Sequence, residues 1–82
     1  MFSVYILYSS KHDRYYIGQT NDIEKRLVRH NSGYVKSTKA YKPWIVKHTE
    51  SYETRKESMQ REKYLKSKKS RIYIEKLLEA SR

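Results

Sequence analysis

Apolar and polar positions alternate from the start of the chain: Phe2, Val4, Ile6 and Tyr8 fall on one side of a period of two, and Ser3, Tyr5 and Leu7 on the other. With its β-branched and aromatic residues, that rhythm predicts a strand over residues 2–8. Polar Ser9 to Arg14 then make a turn, and Tyr15 to Gln19 form a second short strand, antiparallel to the first. After this the period changes. Asn21 opens a capping-box-like Asn-x-x-Glu ending at Glu24, Ile23 and Leu27 recur at helical spacing, and Gly33 stands where a left-handed C-cap belongs. A helix is expected over roughly residues 22–31. Tyr34 to Pro43 reads as a basic loop, followed by a third strand from Trp44 to about Tyr52. Thr54 and Glu57 form a second capping box opening a helix to about Lys68, and Ser70 caps a last helix whose apolar stripe is Ile74, Leu77 and Leu78. The order is ββαβαα, an α/β (α+β) domain in which helices pack against a small sheet.

Only two glycines and one proline punctuate the 82 residues, and no internal repeat appears, so residues 1–82 are expected to form one domain. A chain of this size buries only about 60% of its unfolded surface, which disfavours a deep, enclosed small-molecule pocket. Nineteen Lys and Arg against nine Asp and Glu give a net charge of +10, more than solubility needs and suited to a polyanionic partner. The absence of cysteine excludes disulfides, thiolate zinc sites and a thiol nucleophile. His12, His30 and His48 are too scattered to form a metal cluster. The apolar run Val4–Leu7 is too short to span a bilayer and has no basic region before it, so no membrane association and a cytoplasmic location are expected.

If Ser9 pairs with Arg14 across the turn, Leu7 faces Tyr16 and Tyr5 faces Gly18, which puts the two tyrosines on one face of the sheet as diagonal neighbours. Gly18 then leaves room for a ligand or another backbone. Either tyrosine can also be an ordinary strand aromatic. Asp22, Arg26 and His30 stack along one face of the first helix; Arg26 there can pair with Asp22 or grip a phosphate. Glu62 lies three residues after Met59 and three before Leu65, a spacing that points it inward, where it needs Arg26 or a metal ion as partner. Lys63, Lys66, Lys68, Lys69 and Arg71 form a dense cationic run, and Lys36, Lys39 and Lys42 sit in the loop among Tyr34, Tyr41 and Trp44. Such cations track a phosphate backbone or simply solvate a surface. Trp44 is read as a core residue.

Val4-Tyr5-Ile6 and Tyr16-Ile17-Gly18 resemble the two half-motifs that name the GIY-YIG nuclease superfamily, and the resemblance continues through Arg26, His30 and Glu62 over essentially the whole chain. It is similar to the short stand-alone members related to the nuclease domain of the bacterial excinuclease. That resemblance implies a three-stranded antiparallel sheet flanked by helices. It also implies that Glu62 holds a single divalent metal (magnesium or manganese), that Arg26 binds the scissile phosphate, and that Tyr5 and Tyr16 position or deprotonate the attacking water. His30 stands where the family has His or Tyr. Ser3 occupies the place of the first motif glycine, Gln19-Thr20-Asn21 supplies no cation after the second half-motif, and no asparagine follows Asn31. These departures bear on catalytic vigour rather than on ancestry.

The sequence thus leads to a metal-dependent endonuclease acting on DNA, with structure-selective cleavage in repair or recombination as a further expectation and RNA as the alternative polyanion. A catalytically weak nucleic-acid-binding module using the same basic face is the second reading, and a protein-interaction domain the third. A tyrosine serves as the base near neutral pH only if cations such as Arg26 and the metal lower its pKa.

Overall fold

A computed structural model describes residues 1–80. The elements are β1 (Phe2–Ser9), β2 (Arg14–Thr20), α1 (Ile23–Ser32), a 3₁₀ turn (Lys39–Tyr41), β3 (Ile45–Tyr52), α2 (Arg55–Ser67) and α3 (Arg71–Ala80). This is the expected ββαβαα order. The three strands form one antiparallel sheet in the order β2-β1-β3, with β1 at its centre.

The central place of β1 explains its composition. Val4, Tyr5, Ile6 and Leu7 are all buried because helices cover both faces of the sheet, so neither set of the period-2 pattern meets water. On one face Tyr5 and Leu7 pack with Trp44, and Tyr16, Ile23, Leu27, Tyr41 and Val46 close around them. The other face belongs to α2. Val4 is flanked across the sheet by Gln19 and Glu50, and both reach α2, Gln19 through Ser58 and Glu50 through Arg61. Truncating a buried residue such as Leu65 to Ala costs about 2–5 kcal/mol in cores of this kind.

Local chemistry sets the ends of the helices. The N-cap of α1 is Asp22 rather than Asn21: its carboxylate accepts from the Lys25 amide at 3.1 Å. A side chain one residue nearer the first turn meets the free amides, so the Asn21–Glu24 box does not form. Gly33 ends the helix at φ 84°, a left-handed conformation that glycine adopts without Cβ strain. Thr54 and Glu57 form the full reciprocal capping box of α2, and the Ser70 hydroxyl accepts from the Tyr73 amide at the start of α3. Of the predicted α3 stripe, Ile74 is buried and Leu77 and Leu78 are half-buried.

The expected basic loop is tied down at three points. Asn31 of α1 donates to the Trp44 carbonyl at 3.0 Å and accepts from the Trp44 amide at 2.6 Å, while the Trp44 indole donates to the Thr38 carbonyl at 3.0 Å. With Trp44 held in the core, Thr38 is fixed beside α1. Among the described residues no helix is long and apolar enough to cross a membrane.

Candidate active site

The site is assembled where the edge strand β2 meets β1. The pairing is the one anticipated from the turn: Ser9 with Arg14, Leu7 with Tyr16, Tyr5 with Gly18. A Cβ on Gly18 would stand 2.4 Å from the Tyr5 hydroxyl oxygen, so glycine is what allows the Tyr5 ring to lie across the edge strand. The Tyr5 and Tyr16 ring centroids are 6.4 Å apart, and His30 lies edge-on to both, at 6.0 and 4.9 Å. The Tyr5 hydroxyl is 3.1 Å from His30 Nε2, and His30 Nδ1 is 2.8 Å from Thr38 Oγ1. His30 is 1% exposed and Thr38 likewise.

Arg26 lies one turn before His30. It does not pair with Asp22, whose carboxylate is used as the helix cap. The guanidinium sits beside the Tyr5 hydroxyl, and Arg26 Nε is buried with no hydrogen-bond partner. Burial raises the Tyr5 hydroxyl pKa far above its ordinary value, and neighbouring Tyr16 adds to the rise. Arg26 opposes it without cancelling it, and Glu62 raises it further. Arg26 thus lowers the Tyr5 pKa, as expected of a neighbouring cation, but by less than burial raises it, and from the protein's own groups alone Tyr5 is a neutral hydroxyl near neutral pH. Burial, then the fields of Arg26 and Arg29, lower the His30 pKa and keep the imidazole neutral.

The structure places Glu62 differently from the periodicity. Leu65 is buried, but Met59 is 51% exposed, so Glu62 is not enclosed between two core residues. Its side chain is 23% exposed on the rim of the site and pairs with Lys66 at 3.0 Å, one turn on, rather than with Arg26. The i,i+4 spacing of Glu62 and Lys66 was the signal for that pair. The same lysine ammonium lies 5.9 Å from the Tyr16 ring centroid. Tyr5, Tyr16, Arg26, His30 and Glu62 are thus brought together, although they come from four elements. Among the described residues no group of three or more His, Cys, Asp or Glu could hold a metal ion.

The basic residues divide into two kinds. Lys36, Lys39, Lys42, Lys63 and Lys69 are exposed and take part in none of the described ion pairs. Lys66 is held by Glu62, and Lys68 lies over the Tyr64 and Tyr73 rings at 4.5 and 5.5 Å. Arg71 is bound to Asp13 through both the carboxylate and the carbonyl, and it stacks on Tyr15 at 5.2 Å, tying α3 to the β1–β2 turn. An open cleft runs from Tyr16 and Lys66 past Tyr15 and Ile17 to Lys69 and Arg71.

Sequence reasoning missed Thr38, Asn31 and the Glu50–Arg61 pair. Asn31 has no periodic signal because its partner, Trp44, lies beyond an irregular loop. Glu50 accepts from Arg61 at 2.9 and 3.2 Å, from Tyr52 at 2.7 Å, and lies 2.9 Å from His48 Nε2, which anchors α2 next to Glu62. Burial alone would raise the Glu50 pKa, but the hydrogen bonds from Arg61, His48 and Tyr52 outweigh it and hold the carboxyl at about 2.

With this geometry the comparisons with known proteins agree. The profile of the GIY-YIG catalytic domain matches residues 1–76. A UPF0213 protein of Bacillus velezensis is 48% identical over 64 residues, covering 73% of this chain and 65% of that protein. A UPF0213 protein of Halobacterium salinarum is 37% identical over 67 residues, covering 80% and 86%. The chain thus spans about two thirds of the first of these relatives and most of the second. The solution NMR structure of a UPF0213 protein from Bacillus halodurans superposes with a TM-score of 0.60 at 32% identity, covering 98% of this chain and 85% of that one. The fold, the tyrosine pair across Gly18 and these matches establish that the chain belongs to the GIY-YIG family, a nuclease family, and is related to its UPF0213 proteins.

Proposed function

We propose that this chain is an endonuclease that hydrolyses DNA phosphodiester bonds with one divalent cation, magnesium or manganese. The observation that carries the reading is the buried, partnerless Nε of Arg26 beside the Tyr5 hydroxyl. An unsatisfied buried donor costs roughly 1–3 kcal/mol. A phosphate would relieve that cost, because its oxygens match the guanidinium bidentately. Arg26 accordingly binds the scissile phosphate and offsets the charge that develops on it.

Glu62 is the residue that would hold the cation. A single rim carboxylate, completed by substrate oxygens and water, is an arrangement that suits magnesium. When bound, such an ion polarises the phosphoryl group and acidifies a coordinated water. Tyr5 and Tyr16 orient the attacking water, Tyr5 as a neutral hydroxyl. The water oxygen bonds to phosphorus in line with the leaving oxygen as that P–O bond breaks; the attacking water releases its proton to solvent, and the leaving oxygen takes one from solvent. Lys36, Lys39, Lys42, Lys63, Lys66 and Lys69 attract the backbone on either side, with Lys68 and Arg71 contributing field rather than free donors. A repair or recombination role and a cytoplasmic location are part of the same reading.

A specific contact favours the second reading, a nucleic-acid-binding module of weak activity: Lys66 already neutralises Glu62, the position a metal would need. Incubation with supercoiled plasmid in magnesium, manganese or chelator separates the two, with branched, nicked and single-stranded substrates to define preference. Metal-dependent nicking is the expected result. Binding without nicking in either metal would favour the module, and affinity that does not fall with salt would remove nucleic acid from both readings.

A further inference from the structure

The hydrogen-bond chain behind Tyr5 has a direction. Thr38 Oγ1 lies 3.3 Å from the Val35 carbonyl, which also accepts from the Thr38 and Lys39 amides at 3.1 and 3.0 Å; a carbonyl can only accept, so in this contact the Thr38 hydroxyl is the donor. Its oxygen is left to accept from His30 Nδ1–H at 2.8 Å. A neutral imidazole carries one proton, so His30 Nε2 is then a bare lone pair, and the Tyr5 hydroxyl donates to it at 3.1 Å. The opposite polarity would turn the Tyr5 O–H toward the Arg26 guanidinium, which has no lone pair to accept it. Among the described contacts of the Tyr5 hydroxyl there is no other acceptor. The neutral state this requires matches the surroundings of His30, which faces Arg26 and Arg29 on α1 and the phenols of Tyr5 and Tyr16 on the sheet, with no carboxylate among its described contacts.

We infer that Thr38 is a positioning residue: anchored by the Val35 carbonyl, it locks His30 as the Nδ1–H tautomer, so that Tyr5 points its proton inward and presents its oxygen lone pair to the reaction centre. The inference rests on the nuclease reading for its catalytic consequence, but the tautomer itself does not. A Tyr5 that accepts can orient a water by taking a hydrogen bond from it, leaving the water's lone pair toward phosphorus. A Tyr5 that donates would hold the water through one of its lone pairs and draw electron density from the oxygen that has to attack. The loop fixed by Trp44 and Asn31 thereby controls a hydroxyl on β1 without touching substrate. Nothing in the two half-motifs encodes this, because Thr38 lies eight residues beyond His30 in a segment without periodicity.

Long-range ¹⁵N–¹H correlation spectra of the full chain labelled at histidine test the polarity directly. A pyrrole-like Nδ1 and a pyridine-like Nε2 for His30 are expected in wild type, with a mixture or the reverse tautomer in Thr38→Val and the wild-type pattern restored in Thr38→Ser. Cleavage by Thr38→Val should fall about tenfold or more in kcat with KM unchanged, and Thr38→Ser should recover it. Amide spectra establish that each variant is folded. A wild-type His30 protonated at Nε2, or a folded Thr38→Val with wild-type kcat, overturns the inference. If wild type does not cleave at all, the nuclease reading fails, while the tautomer spectra still decide the hydrogen-bond polarity on their own.

Discussion

The two faces of β1 carry polar networks of opposite character. Behind Val4, Glu50 gathers hydrogen bonds from Arg61 and Tyr52 and a contact with His48, so the carboxylate and the Arg61 guanidinium meet each other as partners. Around Tyr5 the groups are neutral or incompletely satisfied: an imidazole whose pKa is lowered, a phenol whose pKa is raised, and an Arg26 Nε with nothing to donate to. A satisfied network stabilises its own fold, whereas an unsatisfied one has its missing partner outside the protein. One face fixes α2; the other carries the candidate site.

The largest effect that would break this comparison is on activity. Glu62→Gln should lower cleavage by at least about a hundredfold, the scale of losing one dominant electrostatic contribution. Melting should barely move, because a partly exposed i,i+4 pair such as Glu62–Lys66 is worth only about 0.3–0.5 kcal/mol. A large drop in melting temperature with activity retained would return Glu62 to a structural role. On the opposite face the signs reverse. Arg61→Ala leaves Glu50 short of its principal donor and should destabilise the fold by about 1–3 kcal/mol in urea titrations. At low temperature the same variant should retain cleavage per folded molecule, and a stability equal to wild type would mean that the Glu50 network holds nothing in place.

The pH dependence of stability belongs to the same face. The folded pKa of Glu50 is depressed, from the ordinary 4.5 to about 2, so its contribution is fully present above the unfolded value and is lost as pH falls from 4.5 toward 2. Allowing for solvent screening, that loss is on the order of 1–2 kcal/mol. Melting curves across this range should show it in wild type and show less of it in Glu50→Gln; parallel curves would contradict the assignment. The smallest effect sharpens the tyrosine pair. Tyr5→Phe removes a donor from buried His30 and should cost about 1 kcal/mol of stability together with cleavage, whereas Tyr16→Phe should lower cleavage with little change in melting. Equal melting shifts for the two would place them in equivalent environments.

Much of the site was legible before the structure because it depends on local rules. A tight turn after Ser9 sets the register that brings Tyr5 opposite Gly18, and helical spacing puts Arg26 and His30 on one face. Glu62 shows where such rules stop. Periodicity gave it an inward direction, but the other flanking residue, Met59, proved half exposed, because Ser58 is the small residue that lets α2 approach the sheet at Gln19.

By itself, the sequence determined the element order, the caps at Gly33, Thr54 and Ser70, the pairing of the two half-motifs and the excess of cations, since each depends on neighbours within a few residues or on composition. Tertiary structure alone decided which charges are spoken for and which are not: Arg71 taken by Asp13, Lys66 by Glu62, Glu50 by Arg61, and Arg26 Nε by none of the described groups. It also decided that Thr38 stands behind His30, because a loop without periodicity acquires its place only when Trp44 enters the core and Asn31 closes over it. Burial shifts pKa values through desolvation, and desolvation is a property of the packed molecule rather than of any stretch of chain.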